Sequence, residues 1–235
     1  MKTPVVILTR NCIELTKRCI ASVRNQDVET TICVYDNGST DGTVEWLLQD
    51  NRDIAVYPFQ ENRGVTCGWN TMLSGLFRDG HSAVLVLNND TVLPSWFLRE
   101  LASYVLMYNL DAFVTGVATD DMSLLDAPAG VCPPSPHPDF SAFLIGRDVW
   151  EKVGPFDERF VLYCQDCAFH VEAHRKGVQL WKVNVPYFHI NSQTLRRSTP
   201  EEKSKINWQA NRDRQVFKEK YGCLPGAPTY SELFK

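Results

Sequence analysis

Short runs of apolar, mostly β-branched residues alternate with amphipathic stretches along the chain. The runs are nearly continuous in hydrophobicity, as expected for parallel strands that helices cover on both faces. They predict strands at residues 5–9, 31–35, 54–59 and 83–87. The stretches between and after them predict helices at residues 13–25, 43–49, 66–77 and 95–108. This βαβαβ order predicts an α/β sandwich.

The second half of the chain continues the pattern less regularly. Its runs predict strands at residues 112–117, 140–145 and 178–183 and helices at residues 166–176 and 200–221. Residues 126–138 contain five prolines, which exclude regular structure because proline lacks a backbone N–H. We expect a mobile loop over the site there, and we expect both halves to share one sheet.

Composition and charge narrow the class of protein. Of the 235 residues, 44% are hydrophobic and 22% charged, which is ordinary for a globular domain. The net charge is -4 and the basic residues are spread along the sequence. The sequence therefore lacks the cluster of Lys and Arg residues that is typical of nucleic-acid-binding proteins. The apolar run near Met1 is too short for a signal peptide or a transmembrane segment. We therefore expect a cytoplasmic protein, with its eight cysteines reduced.

Polar residues follow several of the predicted strands, where ligands bind in open α/β sheets. The first cluster, residues 36–42, reads Asp-Asn-Gly-Ser-Thr-Asp-Gly, and Asp36 could accept hydrogen bonds from a ribose or a base. An ordinary strand-to-helix turn explains the same residues equally well.

Asn88, Asn89 and Asp90 form the second cluster, directly after a buried run. Their oxygen atoms suit Mg²⁺ or Mn²⁺, which need only one or two protein carboxylates when phosphates and waters supply the rest. A polar turn is the alternative.

Asp166 marks a third cluster, at the start of a predicted helix. The helix dipole would keep this carboxylate ionised, so it could act as a general base. The alternative is a helix N-cap.

Six segments, in this order, resemble the family 2 glycosyltransferases, and especially the rhamnosyltransferase-like members. The resemblance implies a GT-A fold, which is a Rossmann-like mixed sheet flanked by helices. The resemblance covers about residues 3–192. The segments are residues 5–10, residues 36–42, Glu61-Asn62-Arg63-Gly64 with Gly68-Trp69-Asn70, Leu87-Asn88-Asn89-Asp90-Thr91, residues 154–160 with Gln165-Asp166, and His189.

The resemblance implies roles for particular residues. Asp90 would bind the metal ion, Mn²⁺ or Mg²⁺, His189 would complete its coordination, and Asp166 would be the general base. The nucleotide would be bound by Thr9, Arg10, Asp36, Asn37, Arg63, Asn70, Asn88 and Asn89. Asn88 stands where the family commonly has an aspartate, so metal should bind weakly until a nucleotide is present.

The implied activity is the inverting transfer of a sugar from a nucleotide-sugar donor, a UDP- or dTDP-hexose, to a hydroxyl of a glycan, lipid-linked or protein acceptor. The resemblance implies one domain at residues 1–195, with a nucleotide-binding half at 1–90 and an acceptor-binding half at 91–195. A helical tail at 196–235 would follow, and we expect this tail and residues 126–138 to shape the acceptor site. Contact with a membrane surface stays open.

The chain departs from the family around the candidate base. Residues 165–168 read Gln-Asp-Cys-Ala where the family commonly has Glu-Asp-X-Asp, so two acidic positions are missing. A non-catalytic module that binds a nucleotide sugar or a carbohydrate is therefore an alternative. A sugar nucleotidyltransferase is disfavoured, because residues 9–12 hold no glycine to cradle a triphosphate.

A zinc site is a further alternative near the candidate base. The cysteines and histidines there have the spacing of zinc ligands: Cys164, Cys167, His170 and His174. On a helix that rises about 1.5 Å per residue they would spread over about 15 Å, too far apart to surround one ion.

Overall fold

The computed structural model describes residues 2–109, 112–126, 139–189 and 199–235. The strands are β1 (Thr3–Thr9), β2 (Thr30–Asp36), β3 (Ala55–Pro58), β4 (Ala83–Asn88), β5 (Thr91–Val92), β6 (Phe113–Thr119), β7 (Ala142–Gly146) and β8 (Trp181–His189). The helices are α1 (Ile13–Arg24), α2 (Thr43–Asp50), α3 (Val65–Arg78), α4 (Phe97–Tyr108), α5 (Arg147–Val153), α6 (Gln165–Arg175) and α7 (Pro200–Tyr221). Short 3₁₀ helices lie at Met122–Asp126 and Pro228–Phe234.

The eight strands form one mixed sheet in the order β3-β2-β1-β4-β7-β6-β8-β5. β1 runs parallel to β2 and β4, and β2 runs parallel to β3, as the continuously apolar runs predicted. β7 runs antiparallel to both β4 and β6, so it joins the parallel first half to the second half. The prediction that both halves share one sheet is confirmed.

Apolar side chains fill the space on both faces of the sheet. On one face, Trp69 of α3 packs against Phe143 of β7 and Phe156, with ring centroids 5.3 and 5.0 Å away. On the other face, helices α1, α2 and α4 bury residues such as Leu47 and Phe97. Burial of such side chains is worth about 1.5–3 kcal/mol each, which accounts for the alternation of strands and helices in the sequence.

The structure differs from the predicted elements in three places. Arg147–Val153 is helical and Thr91–Val92 is a strand, and neither is long enough to show a period in the sequence. β8 begins at Trp181 and continues to His189, beyond the predicted 178–183, because it pairs with β6 and then with β5. Of the predicted loop at 126–138, residues 127–138 lie outside the described residues.

α7 packs through one face against the body of the molecule. Its Phe217 and Asp213 are fully buried, and Phe217 contacts Phe160 with ring centroids 6.0 Å apart. Its other face is charged. None of the helices in the described ranges is long and apolar enough to cross a membrane.

Candidate active site

A cavity of about 320 Å³ opens where the carboxyl ends of β1, β2 and β4 meet. Polar residues that directly follow these strands reach it because each strand ends at the same edge of the sheet. The predicted site residues in its lining are Thr9, Arg10, Asn37, Asn88, Asn89, Asp90 and His189. The structure therefore brings both predicted metal ligands together with most of the predicted nucleotide-binding residues.

Asp90 and His189 lie side by side in the lining. Nε2 of His189 lies 3.3 Å from Oδ1 of Asp90, and each side chain is only 9% exposed. The pairing of Thr91 with His189 between β5 and β8 brings the two residues together. Burial lowers the pKa of His189, but the hydrogen bond to Asp90 and the charges of Asp90 and Asp139 raise it, and the net shift is upward.

The Asp90–His189 pair fits a divalent metal ion. Two neighbouring ligands of an octahedral ion, each about 2.1 Å from it, lie roughly 3 Å apart, which is close to the observed 3.3 Å. Nδ1 of His189 is buried and has no hydrogen-bond partner among the described residues, so the ring is not fixed by a second bond. No group of three or more His, Cys, Asp or Glu side chains in the described ranges could hold a metal ion. These two residues would therefore need further ligands, such as phosphate oxygens.

Asn89 fixes the loop that follows β1. Its Nδ2 lies 3.0 Å from Oγ1 of Thr9, 3.0 Å from Oγ1 of Thr16 and 3.2 Å from the carbonyl oxygen of Asn11. Oγ1 of Thr9 is also 2.8 Å from Oγ1 of Thr16. The side chains of Thr9 and Asn89 are thus bonded to protein groups, and they shape the cavity wall.

The turn after β2 is tied to the segment that precedes α3. Oδ1 of Asp36 accepts hydrogen bonds from the amides of Gly38 and Ser39, at 3.1 and 2.9 Å. Oδ2 of Asp36 is buried and meets no donor in the described part of the chain, which costs free energy unless a ligand supplies one. Asn37 accepts a bond from the Arg63 amide at 2.7 Å and donates to the Gly64 carbonyl. Of these two residues, Asn37 lines the main cavity, whereas Asp36 is fully buried and lies outside the lining.

The two predicted nucleotide-binding arginines lie in different surroundings. Arg10 lines the cavity, and its Nη2 is 3.8 Å from Oε1 of Glu202 on α7. Its Nε is buried, with no hydrogen-bond partner in the parts of the chain that are described. Arg63 is exposed, outside the cavity lining, and its guanidinium stacks 5.6 Å above the ring of Phe59.

Asn70 lies away from the cavity. Its Nδ2 donates to the carbonyl oxygen of Phe156 at 2.8 Å and to Oε1 of Glu158 at 3.0 Å, and its Oδ1 accepts from the Phe156 amide. Both atoms of the amide therefore hold the segment before α6. The position of Asn70 is that of a structural residue.

Asp166, the predicted general base, is the second residue of α6 and accepts a hydrogen bond from the Cys167 amide at 2.8 Å. It lines a separate cavity rather than the one that holds Asp90. Burial raises the pKa of Asp166 and the charge of Asp139 adds to the rise, so the shift is opposite to the one expected from the helix dipole. The charge of Asp139 raises the pKa of both Asp166 and His189.

Asp213 of α7 is a structural determinant of the site that the sequence pattern did not single out. Its fully buried carboxylate accepts hydrogen bonds from the amides of Leu162 and Tyr163, both at 2.8 Å, and from Gln209 at 2.7 Å. Leu162 and Tyr163 line the main cavity. The sequence did indicate that Asp213 is buried, because it lies three residues after Ala210 and four before Phe217, which is the spacing of one face of a helix.

The zinc candidates around α6 serve as packing residues. The rings of His170 and His174 lie 4.5 and 5.4 Å from the ring of Phe234. Cys164 belongs to the apolar cluster between α6 and α7.

Comparison with known proteins identifies one matching family. A sequence model of Glycosyl transferase family 2 matches residues 5–141, a stretch that includes Asp36 and Asp90 but ends before Asp166 and His189. None of the curated proteins matches the chain in sequence.

Solved structures share the fold at low sequence identity. TarS 1-349 from S. aureus in complex with UDP is 13% identical with a TM-score of 0.64, covering 97% of this chain and 74% of that one. Mannosyltransferase PcManGT from Pyrobaculum calidifontis, in complex with GDP-Man and Mn²⁺, is 17% identical with a TM-score of 0.63, covering 98% and 79%. In a further TarS structure, 15% identical with a TM-score of 0.63, the match covers 82% of this chain and spans only 37% of that chain.

Proposed function

Because this chain belongs to Glycosyl transferase family 2 and has the GT-A fold, we propose that it is an inverting, metal-dependent glycosyltransferase. The observation that carries the proposal is the meeting of Asp90 and His189, 3.3 Å apart, in a cavity at the carboxyl ends of the parallel strands. TarS structures contain UDP and UDP-GlcNAc, and the PcManGT structure contains GDP-Man and Mn²⁺. We favour a UDP- or dTDP-hexose as donor, and we retain the rhamnosyltransferase-like subgroup as part of this proposal.

The donor nucleotide would lie along the main cavity. Its nucleoside would bind at the turn after β2, where Oδ2 of Asp36 needs a hydrogen-bond donor. Its diphosphate would lie toward Arg10, which lines the cavity and carries a permanent positive charge. Asn88 would border the ribose.

Asp90 and His189 would hold the metal ion, Mn²⁺ or Mg²⁺. When bound, the ion would neutralise the charge that builds on the departing diphosphate. The two protein ligands leave the remaining coordination positions to phosphate oxygens and water, which is the usual arrangement for such ions.

Asp166 would accept the proton from the acceptor hydroxyl. As that oxygen bonds to the anomeric carbon, the bond from this carbon to the diphosphate oxygen breaks, and its electron pair leaves with the nucleoside diphosphate. Attack from the face opposite the leaving group inverts the anomeric configuration. A carboxylate with a raised pKa is a stronger base, provided that it is ionised at the working pH.

The proposal is tested by incubating the protein with a panel of nucleotide sugars and Mn²⁺ and measuring the release of nucleoside diphosphate. We expect turnover with UDP- or dTDP-hexoses, and we expect Asp166→Asn to lower it by at least about 100-fold while UDP affinity is unchanged. Asp50→Asn, which alters an exposed carboxylate at the end of α2, should have no effect. Donor binding without turnover would instead indicate the non-catalytic module.

A further inference from the structure

The outward face of α7 carries a large aromatic side chain in contact with solvent. Trp208 is 63% exposed, and the guanidinium of Arg212 lies 5.8 Å from the centre of its ring. Lys205 precedes Trp208 by three residues and Arg212 follows it by four, so the three side chains project from one side of the helix. An exposed indole between two cations is the feature of α7 that packing against the body of the molecule does not explain.

The exposed charges around Trp208 are positive. Between residues 203 and 218, α7 has one acidic residue, Asp213, and this carboxylate is fully buried and bonded to backbone amides. The same stretch contains five basic residues: Lys203, Lys205, Arg212, Arg214 and Lys218. The exposed acidic residues of the helix lie at its ends, where Glu201 pairs with Lys205 at 3.0 Å. This stretch is therefore basic, although the whole chain has a net charge of -4.

A groove of about 590 Å³ runs beside Trp208. Its apolar lining residues are Val161, Leu162, Ile206 and Trp208. Leu162 and Ile206 also line the main cavity, so the groove adjoins the candidate active site. Cations and aliphatic surface thus occur together on this side of the molecule.

This combination suits the surface of an anionic phospholipid membrane. Tryptophan prefers the boundary between head groups and acyl chains, because its ring is apolar and its N–H is polar. Clusters of four to eight basic residues on a helix with an apolar side bind anionic lipids. Aliphatic side chains next to the indole give the acyl chains a surface to contact.

Two other occupants fit the face less well. A single-stranded nucleic acid needs successive aromatic rings on which its bases stack, and the net negative charge of the chain opposes a long polyanion. A second copy of the chain in a two-fold contact would place the same cations of both copies against one another.

We propose that the face of α7 around Trp208 docks on an anionic membrane surface. The indole enters the head-group region, and Lys205 and Arg212 contact lipid phosphates. Docking in this way holds the main cavity beside the membrane. The inference depends on this surface alone and not on the reaction proposed above.

The charge dependence is tested by co-sedimentation of the protein with vesicles of phosphatidylcholine, alone or mixed with phosphatidylglycerol. We expect binding to the mixed vesicles only, and we expect salt to weaken it. Arg212→Gln should lower the partition coefficient about five-fold, the factor expected for one basic residue near an anionic surface. Arg52→Gln is the matched control, because Arg52 is exposed and precedes β3, at the amino ends of the parallel strands. It should bind the mixed vesicles as the wild type does.

Insertion of the indole is tested with mixed vesicles whose acyl chains carry bromine, which quenches the fluorescence of a tryptophan close to them. We expect quenching in the wild type and its loss in Trp208→Ala. Leu106→Ala, at a residue of α4 that is 82% exposed, should be quenched like the wild type, because exposure alone does not place a residue at the membrane. All variants change exposed side chains, so their thermal midpoints should match that of the wild type.

Equal binding to neutral and mixed vesicles would overturn the inference, as would equal quenching of the wild type and Trp208→Ala. Binding to a single-stranded oligonucleotide but to neither kind of vesicle would assign the face to a nucleic acid instead. A wild-type protein that binds neither kind of vesicle and forms a dimer that Trp208→Ala dissociates would assign it to a second copy. Either result would refute membrane docking.

Discussion

At the scale of single residues, Arg10 brings a positive charge to the lining of the main cavity. Its side chain is 31% exposed, and 3.8 Å separates it from Glu202, which is beyond hydrogen-bond distance. Glu202 is also part of a capping box, in which it accepts from the Thr199 amide and its own amide donates to Oγ1 of Thr199. If the donor diphosphate binds Arg10 as proposed, a carboxylate held this close would compete with it for the guanidinium.

Glu202→Gln should therefore bind UDP more tightly than the wild type. Glutamine keeps the capping box, so the change removes only the charge. The expected gain is up to about five-fold, because ion pairs at the protein surface are weak. Isothermal titration with UDP would measure it, with Glu201→Gln as control, because Glu201 pairs with Lys205 in the same helical turn. Equal affinities for the two variants would contradict the competition, and uridine, which lacks phosphates, should bind both alike.

The location of single residues in the candidate site was predictable only where their position at the end of a strand determined the edge of the sheet at which they lie. Asp90 and Asn88 follow a buried strand, so the sequence placed them at the correct edge of the sheet. The side chain of Asn70 is bonded to Phe156 and Glu158, more than eighty positions further along, and no local pattern contains that information. The pKa of Asp166 was predicted in the wrong direction, because burial outweighs the helix dipole.

At the scale of elements, α3 and α7 together hold the segment that precedes α6. Val65 at the start of α3 donates to the Val161 carbonyl at 2.9 Å, and Asp213 of α7 accepts from the two amides that follow. Gly64 makes the close approach possible, since a Cβ there would lie 2.6 Å from Cγ1 of Val161 and its φ is +85°. The wall of the main cavity thus depends on α7, which the sequence analysis predicted as a helical tail.

Asp213→Asn should destabilise the protein and weaken UDP binding. The substitution replaces one carboxylate oxygen with an N–H group that faces backbone donors, which costs about 1–3 kcal/mol. For a chain of this size the midpoint of thermal unfolding should fall by about 2–4 °C per kcal/mol. Scanning calorimetry and UDP titration would measure both effects, with Glu219→Gln on the exposed face of α7 as control. An unchanged midpoint would show that Asp213 does not support the segment.

Elements with a clear period were predicted almost to the residue, as α1, α2, α3 and α7 illustrate. The sequence could not reveal β5, which has two residues and exists only because it pairs with β8. That pairing brings His189 to Asp90. The position of Asp90 after a strand already indicated a candidate metal ligand, whereas His189 was expected there only from the family resemblance.

At the scale of the whole molecule, an ionic network joins the segment before α6, α6 itself and α7. Nζ of Lys220 lies 3.1 Å from Oδ2 of Asp157 and 3.0 Å from Oε1 of Glu172. The hydrogen bond from Arg159 and the bond and charge of Lys220 hold the pKa of Asp157 well below its usual value. Burial raises the pKa of Glu172, but bonds from Tyr221 and Lys220 bring it below its usual value.

The network predicts a loss of stability in acid. The folded-state pKa of Asp157 is lower than that of the unfolded chain, about 3.9, so its contribution is complete above that value and is lost as the pH falls toward the folded-state pKa. Urea unfolding between pH 6 and pH 3 would measure the loss. Lys220→Gln should reduce the slope below about pH 4, and Lys218→Gln, on the exposed face of α7, should not. Parallel curves for both variants would contradict the assignment.

The fold class was the most predictable level of all. Strands buried on both faces must be apolar throughout, so the strands of the parallel half could be predicted from continuous apolar runs in the sequence. The antiparallel direction of β7 could not be predicted in this way, because a central strand is equally apolar whether it runs parallel or antiparallel to its neighbours.

The dependence of both cavities on the last elements of the chain has a consequence during protein synthesis. The residues before 199 leave the ribosome without Asp213 to fix the wall at 161–163, and the residues before 222 leave it without the wall that faces Asp166. Under the proposed function, we therefore expect a chain cut short by a premature stop codon before Asp213 to be inactive, because the amides of Leu162 and Tyr163 would lose their acceptor.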